Sequence, residues 1–370
     1  MDNEFWNKQY MLVWVFDVGR GNCGFVRTPS KHGILLDCGG DSSVISMIEK
    51  YLLPRCRERK WVDKNGNEKH TRISQVIISH PHVDHFSNIE QVMELDPFLL
   101  TCPHDKQASY LEQNECVDWE LIHNPEGSDE LLYLYRRAYK GRNLPLQVFS
   151  PTSQVPHFTY GIFYIRPSEC EPVESWFINE DSGLSKQDYG NNISIMTYFR
   201  FNKNSILFPG DIMASGMKHA LEVGCENRLV GEGVAAKFAK RSASTQMLRK
   251  WINRGCSILV APHHGLESGY SPEFFLSLPI GDPRVRGVLI SEKAKPSKGE
   301  GCVHCNYQSS DKVKGVSVIR DNGTRTNKLS ITTRTDGNCL IGFRGSEDIS
   351  VVVSKNVEWI LTDGSEFLFT

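Results

Sequence analysis

Three histidines and an aspartate lie within six residues in the segment Ser79-His80-Pro81-His82-Val83-Asp84-His85, called here the histidine cluster. A β-branched run at Gln75–Ser79 predicts a buried strand just before it, and a helix is predicted just after it. Packing alone does not require four such side chains in one short loop. Imidazole and carboxylate groups are ligands of zinc, iron and manganese. The spacing therefore predicts that the first two imidazoles converge on one ion, while the aspartate and the third imidazole reach a neighbouring one.

Two later segments place acidic and imidazole side chains just past predicted strands. Phe208-Pro209-Gly210-Asp211 supplies a carboxylate, and Val260-Ala261-Pro262-His263-His264-Gly265 supplies two imidazoles. In α/β architectures such strand ends meet on one rim, where ligands and active sites gather. Taken alone, a Gly-Asp pair is usually a plain turn and a pair of histidines in a loop is usually a surface feature. In combination with the histidine cluster, they predict a site for two metal ions.

The charge balance argues against several other classes of protein. The 370 residues include 42 Lys+Arg and 44 Asp+Glu, and the resulting net charge of 42 − 44 = −2 is unlike that of a polybasic nucleic-acid coat or an acidic tail. Hydrophobic residues make up 39% of the chain, which is enough to bury a substantial core. We therefore expect a folded, globular protein.

Membrane and secretion signals are weak. The longest early apolar run, Met11–Phe16, is much shorter than the roughly 18 residues that a membrane span needs, and the first residues lack the basic segment of a secretion signal. The 11 cysteines are an odd number scattered along the chain, unlike a compact disulfide framework. We expect no membrane insertion and a reducing, cytoplasmic compartment.

Strands and helices alternate in both halves of the sequence, which predicts an α/β fold. The first half has predicted strands at Met11–Asp17, Gly24–Arg27 and Gly33–Cys38, a helix at Ser43–Leu53 and a polar hairpin at Arg55–His70. The second half has predicted strands at Ser194–Arg200, Ile206–Phe208, Ser257–Val260 and Gly287–Ser291. Its predicted helices are Ala214–Val223, Thr245–Trp251 and Pro272–Leu278.

Two regions depart from this alternation. Residues 99 to 190 have weak periodicity, with aromatic and basic residues mixed at Tyr133–Arg142, and are interpreted as an insertion. The end of the chain is rich in predicted strands, at Lys328–Thr333, Asn338–Phe343, Ile349–Val353, Trp359–Thr362 and Glu366–Phe369. We expect one domain over residues 1–345 and a C-terminal β extension over residues 346–370, packed on that domain, whose edge strands serve either a protein partner or self-association.

The chain resembles the metallo-β-lactamase-fold hydrolases, and within them it is similar to the metallo-β-lactamase domain of the DNA-uptake protein ComEC, here standing alone. The resemblance spans roughly residues 11 to 343. Besides the histidine cluster, the motifs that carry it are Asp17-Val18-Gly19-Arg20-Gly21-Asn22, Leu35-Leu36-Asp37-Cys38-Gly39, Asn191-Asn192-Ile193-Ser194, Pro209-Gly210-Asp211, Pro262-His263-His264-Gly265 and Val288-Leu289-Ile290-Ser291. It implies a four-layer αββα sandwich with the inserted region and the extra C-terminal strands.

The resemblance also implies a set of metal ligands. His80 and His82 bind the first ion, Asp84 and His85 the second, and Asp211 bridges the two. One residue of the pair at 263 and 264 completes the second site. We favour His263, because it is the first of the two past the strand and its Ala-Pro extension; His264 is the alternative.

Several positions differ from the family pattern or support it indirectly. Many members place a third histidine on the first metal where this chain has Asn191 and Asn192, so these two are candidate substitutes or substrate contacts. The ComEC-like pattern has Asp at the position of Asn22. Asp37, at the end of an apolar strand, is expected to support the metal-binding loop by buried hydrogen bonds. His304 is a candidate accessory residue.

The implied chemistry is hydrolysis by a hydroxide that two divalent ions share. Such ions lower the pKa of the water and polarise the scissile bond, while Asp84 or Asp211 steers its proton. Zinc is the expected metal and manganese the alternative. No phosphate-binding loop is present at Asp17–Gly21, which lacks the required lysine. Cys302-Val303-His304-Cys305 is an incomplete zinc motif, for which ordinary loop cysteines are the alternative.

The substrate is less constrained than the reaction, because this fold hydrolyses several bond types. Lys237, Lys240 and Arg241 lie in a basic stretch that is a candidate phosphate contact, although a solvated helix face explains it equally well. We expect a phosphodiesterase acting on nucleic acid or a small phosphoester. The alternatives are a hydrolase of a carboxylic ester, thioester or lactone, and a metal-bearing module without catalysis.

Overall fold

The structure, a computed structural model, describes residues 10–19, 21–62, 66–80, 82–98, 100–102, 158–165, 190–222, 224–231, 234–238, 247–291, 303–344 and 349–368. In chain order its strands are β1 (Met11–Val15), β2 (Cys23–Arg27), β3 (Gly33–Cys38), β4 (Arg59–Val62), β5 (Glu68–Thr71), β6 (Ile73–Ile77), β7 (Leu100–Thr101), β8 (Phe158–Tyr164), β9 (Met196–Phe201), β10 (Asn204–Phe208), β11 (Glu226–Gly231), β12 (Val234–Phe238), β13 (Ile258–Val260), β14 (Gly287–Ile290), β15 (Val316–Arg320), β16 (Arg325–Lys328), β17 (Ser330–Thr332), β18 (Asn338–Phe343) and β19 (Ile349–Ser354).

The α-helices of the described residues are short. They are α1 (Ser43–Met47), α2 (Val83–Phe86), α3 (Ile89–Glu94), α4 (Ala214–Glu222), α5 (Met247–Ile252), α6 (Pro272–Leu276), α7 (Thr333–Asp336) and α8 (Val357–Thr362). α1 continues as a π-helical turn at Ile48–Leu52, so the helix predicted at Ser43–Leu53 is confirmed. No helix in the described ranges is both long and apolar enough to cross a membrane.

Two mixed sheets contain most of the described strands. One has the order β16-β15-β19-β18-β1-β2-β3-β6-β7, and the other has the order β12-β11-β8-β9-β10-β13-β14-β17. The parallel pairs that matter most here are β3 with β6 in the first sheet, and β10 with β13 and β13 with β14 in the second. The remaining pair, β4 and β5, is the hairpin predicted at Arg55–His70.

The side chains of β1 show how the layers pack. Met11, Val13 and Val15 face the second sheet, in a core that they share with residues such as Tyr160. Leu12, Trp14 and the following Phe16 face the other way, in a core with α1, α3 and α8. A strand that is buried on both faces needs apolar residues throughout, which explains the unbroken run at Met11–Phe16.

A third core covers the outer face of the second sheet. There Tyr198 and Leu259 from the strands pack with Met217 of α4, Leu248 of α5 and Phe274 of α6. The layers are therefore helices, sheet, sheet and helices, and the predicted αββα sandwich is confirmed.

The end of the chain differs from the sequence prediction. The strands predicted at Trp359–Thr362 and Glu366–Phe369 are wrong, because these residues lie in helix α8 and in a 3-10 turn at Gly364–Phe367. The side chain of Asn356 accepts a hydrogen bond from the backbone N–H of Trp359 at 3.1 Å and so begins α8. A short apolar run alone does not distinguish a strand from a buried helix.

Two strands lie deeper in the sheets than the sequence suggested. β19 lies between β15 and β18 in the first sheet, so it is an interior strand and not an edge strand. β8, which falls within the expected insertion, lies between β11 and β9 in the second sheet. Residues 103–157 and 166–189 of that expected insertion lie outside the described residues.

Candidate metal centre

Five strands end at one rim between the two sheets, and each brings a polar residue there. Asp37 lies near the end of β3 and His80 follows β6. Asp211 follows β10, His264 follows β13 and Ser291 follows β14. Because β3 and β6 run parallel, as do β10, β13 and β14, these carboxyl ends face the same side of the molecule.

Asp211 lies at the centre of this group. Its Oδ2 atom is 3.3 Å from Nε2 of His264, 3.4 Å from Nε2 of His85 and 4.0 Å from Nε2 of His80. Nε2 of His264 is also 3.5 Å from Oδ2 of Asp84. The structure thus brings together residues from segments that are far apart in sequence.

These side chains form two overlapping groups that could each hold a metal ion. One group is His80, His85 and Asp211, and the other is Asp84, His85 and His264; the ligand atoms within each group lie within 4.8 Å of one another. His82 adjoins them, because its Nδ1 atom is 2.9 Å from Nε2 of His80. The arrangement can bind one ion or two adjacent ions.

Hydrogen bonds on the far side of two rings set the orientation of the site. Nδ1 of His85 is 2.8 Å from Oδ2 of Asp37, and Nδ1 of His264 is 2.8 Å from the backbone oxygen of Ser291. Both partners are acceptors, so each ring carries a proton on Nδ1, and in its neutral form it presents the lone pair of Nε2 to the rim.

Buried side-chain atoms that lack a hydrogen-bond partner show that the site suits a cation. Nε2 of His85 and Nε2 of His264 are buried and have no hydrogen-bond partner among the described residues. A buried polar atom left in this state costs about 1–3 kcal/mol. Imidazole nitrogen and carboxylate oxygen are donors that divalent transition metals prefer, so the residues present fit such an ion.

Asp37 is the support of this centre. It is buried, and its Oδ1 accepts the backbone N–H of Ser79 at 2.6 Å. Its Oδ2 accepts the Ser79 hydroxyl and the Asn22 side-chain amide, each at 2.9 Å, in addition to His85. The amide of Asn22 is thus a donor to a carboxylate, a role that an aspartate at this position would fill only in its protonated form.

The electrostatics of the site favour positive charge between the carboxylates. Burial alone would lower the pKa of His264, but the Asp211 carboxylate, helped by Asp84, raises it to about 9. Burial would likewise lower the pKa of His85, but Asp211 and Asp37 raise it well above the usual imidazole value. Burial would raise the pKa of Asp211, but His264 and His85 hold it well below its usual range.

His80 behaves differently from the other two buried imidazoles. Burial lowers its pKa well below the usual imidazole value, and the neighbouring His85 and His82 lower it further. Its ring is therefore neutral at pH 7, which is the form of imidazole that binds a metal ion.

The structure places His264, and not the favoured His263, in the cluster. Both residues have left-handed backbone angles, with φ of 47° and 55°. This turn directs the second ring inward, whereas Nδ1 of His263 lies 2.7 Å from Oγ of Ser268 and the residue is half-buried. Two successive left-handed histidines are rare and leave no signal in the sequence.

The two asparagines that replace the third histidine are buried beside the site. Oδ1 of Asn192 accepts the backbone N–H of Met213 at 3.1 Å, just before α4. Oδ1 of Asn191 is buried and has no hydrogen-bond partner in the structure. Their segment adjoins the histidine cluster, since a Cβ atom built on Gly190 would lie 3.0 Å from Nε2 of His82.

The remaining predicted contacts are only partly described. Lys240 and Arg241 lie outside the described residues, and Lys237 lies in β12 with an undescribed side chain. His304 is described, and its backbone N–H donates to the carbonyl of Gly265 at 2.8 Å. Cys302 lies outside the described residues, so the incomplete zinc motif stays untested.

Two serines were missed as parts of the site. Ser79 anchors Asp37 by both its backbone and its hydroxyl, and Ser291 orients His264 through its backbone oxygen while its hydroxyl donates to the carbonyl of Gly21 at 3.0 Å. Each lies just past a buried strand of the rim, which is the only signal that the sequence offers for them.

Comparison with known families agrees with this geometry. The model of the metallo-beta-lactamase superfamily matches residues 16–165, a segment that includes Asp37 and the whole histidine cluster. This segment is therefore similar to the metallo-beta-lactamase superfamily, whose members are usually hydrolases and whose fold implies the use of divalent metal. No curated protein matches the chain.

Proposed function

We propose that this chain is a metal-dependent hydrolase that holds two divalent ions and cleaves phosphodiester bonds. The proposed ligands are His80, His82, Asp84, His85, Asp211 and His264. The observation that carries the proposal is the pair of buried Nε2 atoms of His85 and His264, which have no hydrogen-bond partner among the described residues and belong to rings whose other nitrogen is already engaged.

The chain's own groups have distinct parts in this reaction. Bound divalent ions supply Lewis-acid polarisation of the substrate and lower the pKa of water. Asp37 and the backbone oxygen of Ser291 each accept a hydrogen bond from Nδ1–H of an imidazole, so that Nε2 is the nitrogen that gives up its proton and binds a metal ion. Oδ2 of Asp84 or the carboxylate of Asp211 accepts the proton of the attacking water.

Two considerations favour phosphodiesters over carbon esters. Adjacent divalent ions suit an in-line displacement at phosphorus, because they stabilise both the attacking and the leaving oxygen. The motifs from Asp17–Asn22 to Val288–Ser291 resemble those of the ComEC-like domain, which belongs to a protein of nucleic-acid transport. The substrate class is thus either a nucleic acid or a smaller nucleotide phosphodiester.

The donor set and the cysteines bear on the metal and the compartment. Imidazoles outnumber carboxylates among the proposed ligands, which favours zinc over manganese. Six cysteines of the described residues are free thiols, and all of them except Cys305 are buried: Cys23, Cys38, Cys56, Cys256, Cys305 and Cys339. Free thiols support a reducing compartment such as the cytoplasm.

The test combines metal analysis with a substrate panel. Chelated protein is reloaded with Zn²⁺ or Mn²⁺, its metal content is measured by mass spectrometry, and hydrolysis of bis-p-nitrophenyl phosphate, single- and double-stranded DNA, p-nitrophenyl acetate, a thioester and a lactone is followed. We expect two ions per chain and metal-dependent turnover of phosphodiesters that is lost in His82→Ala.

Other outcomes contradict the proposal in distinct ways. Turnover of carbon esters or lactones alone would make the chain a hydrolase of that class. Metal binding without turnover of any substrate would make it a binding module. If the protein binds no metal ion, the proposed metal centre is wrong.

A further inference from the structure

Two aromatic rings lie stacked beside the metal centre. The rings of Tyr270 and His304 have centroids 4.0 Å apart and an interplanar angle of 6°, and we call this pair the aromatic platform. Both residues are half-buried. The reaction proposed above assigns no part to them.

The platform borders the centre through the backbone. The N–H of His304 donates to the carbonyl of Gly265 at 2.8 Å, and Gly265 directly follows the ligand His264. An isolated antiparallel bridge between Leu266 and Val303 joins the same two segments. The segment that carries His304 therefore lies against the segment that carries the proposed ligand His264.

Neighbouring residues hold the aromatic platform in place by close packing. Tyr307 is fully buried, packs edge-on against Tyr270 at 5.4 Å and donates its hydroxyl to the carbonyl of Gly269 at 3.3 Å. Gly269 itself fits closely, because a Cβ atom there would lie 2.5 Å from the backbone oxygen of Pro262. A surface that is fixed before a ligand arrives loses little conformational entropy on binding.

The His304 ring offers one face and one polar edge. Tyr270 covers one face of this ring, and the ring of Tyr307 lies edge-on to it with centroids 6.2 Å apart, which leaves His304 partly exposed. Nδ1 accepts the backbone N–H of Asn306 at 3.2 Å. Burial lowers the pKa of His304, so the ring is neutral at pH 7 and carries its proton on Nε2 as a donor.

We propose that the aromatic platform binds a planar heteroaromatic ring of the substrate, of which a nucleobase is the natural example. Base stacking on histidine and tyrosine is a common way to bind single-stranded nucleic acid, and it tolerates any base because every base has a π-face. The inference rests on the proposed function for the bond that is cleaved, but the platform recognises the ring and not that bond.

The experiment compares two esters with the same leaving group. Thymidine 5′-(p-nitrophenyl phosphate) carries a base, whereas methyl p-nitrophenyl phosphate does not. Tyr270→Leu removes one ring and Tyr270→Phe keeps it. His304→Asn removes the other ring but keeps an acceptor for the N–H of Asn306. Circular dichroism and metal content verify that each variant is folded and loaded.

Loss of either ring is expected to raise the KM of the thymidine ester about tenfold, from the usual strength of base stacking. Tyr270→Phe should stay within about twofold of the parent, and the KM of the methyl ester should be unchanged in every variant. If Tyr270→Leu and His304→Asn have the same KM as the parent for both esters, the two rings only pack the loop and bind no base. That result leaves the proposed hydrolysis of phosphodiesters unaffected.

A binding measurement separates this inference from the reaction itself. Calorimetry gives the dissociation constants of thymidine 5′-monophosphate and inorganic phosphate for the metal-loaded chain. If neither ester is hydrolysed, the proposed function fails, yet the platform still predicts that the ring-loss variants weaken binding of the nucleotide about tenfold and leave phosphate unaffected. Equal binding by parent and variants would overturn the platform.

Discussion

Nδ1 of His85 lies 2.8 Å from Oδ2 of Asp37, a buried carboxylate near the end of the neighbouring parallel strand. The same carboxylate accepts hydrogen bonds from Ser79 and Asn22. Asp37 therefore has no free oxygen with which to contact a substrate. Its contribution is to fix the ring of His85 and to add negative charge behind it.

Replacing this carboxylate should weaken metal binding. We expect Asp37→Asn to lower metal affinity about 10- to 100-fold, because the neutral amide no longer favours the Nδ1–H tautomer of His85. Competition with a chromogenic chelator measures the change. Asp282→Asn makes the same substitution at an exposed ion pair with Arg284 and should bind as the parent does. Parent-like affinity in Asp37→Asn would contradict the supporting role.

The adjacent histidines at 263 and 264 provide a matched pair of variants. We expect His264→Asn to lose about one metal ion per chain, because its Nε2 faces Asp84 and Asp211, and His263→Asn to keep the parent's content. Asparagine tolerates the left-handed backbone that both positions have, so the strain is the same in each. Mass spectrometry measures the metal content of both variants. If His263→Asn loses the ion and His264→Asn keeps it, His263 is the ligand.

Metal uptake should depend on pH in a defined direction. The raised pKa values of His264, about 9, and of His85 mean that protons occupy the metal-free centre at neutral pH. Because a bound imidazole must lose its proton, apparent affinity should rise with pH up to about 9 and binding should release protons. Calorimetry in buffers of different ionisation enthalpy measures this release. Uptake that is independent of pH from 6 to 9 would contradict the assigned charges.

Gly39 leaves no space for a side chain. A Cβ atom there would lie 1.7 Å from the backbone oxygen of Asp84, whereas one at Gly24 would meet no atom closer than 3.4 Å. We expect Gly39→Ala to lower the free energy of unfolding by about 3 kcal/mol and to displace Asp84 from the rim. Gly24→Ala should change stability much less. Urea unfolding and metal content of both variants test this, and equal behaviour would contradict it.

His32 predicts acid sensitivity away from the centre. Burial, with Arg57 and Arg59 nearby, lowers the pKa of His32 to about 3, whereas the unfolded imidazole titrates near 6.5. Its contribution to stability is therefore fully present above pH 6.5 and is lost as the pH falls through about 3, at about 1.4 kcal/mol per pH unit.

Urea unfolding between pH 7.5 and 4.5 measures this slope. His32→Asn keeps a polar group near Ser74, whose hydroxyl lies 3.2 Å from Nδ1 of His32, but it cannot take up the proton. The variant should lose less stability over this range than the parent does. If the free energy of unfolding changes with pH equally in the parent and in His32→Asn, His32 is not a buried, neutral imidazole.

The sequence predicted those features that depend on local pattern. The alternation of strands and helices predicted the α/β class, and the polar residues just past predicted strands predicted the rim. The four layers were implied by the resemblance and not by residue type. The choice between His263 and His264 depends on two left-handed backbone angles, which residue type does not reveal. The helix Val357–Thr362 was missed because its apolar run is too short to show a period.

The pairing of β1 with β18 has a consequence for biosynthesis. Met11 lies opposite Phe343, so β1 leaves the ribosome more than three hundred residues before the strand that pairs with this edge of it. Pairings of such long sequence separation close slowly. During translation this edge of β1 stays unpaired, and an unpaired strand edge with apolar side chains favours aggregation.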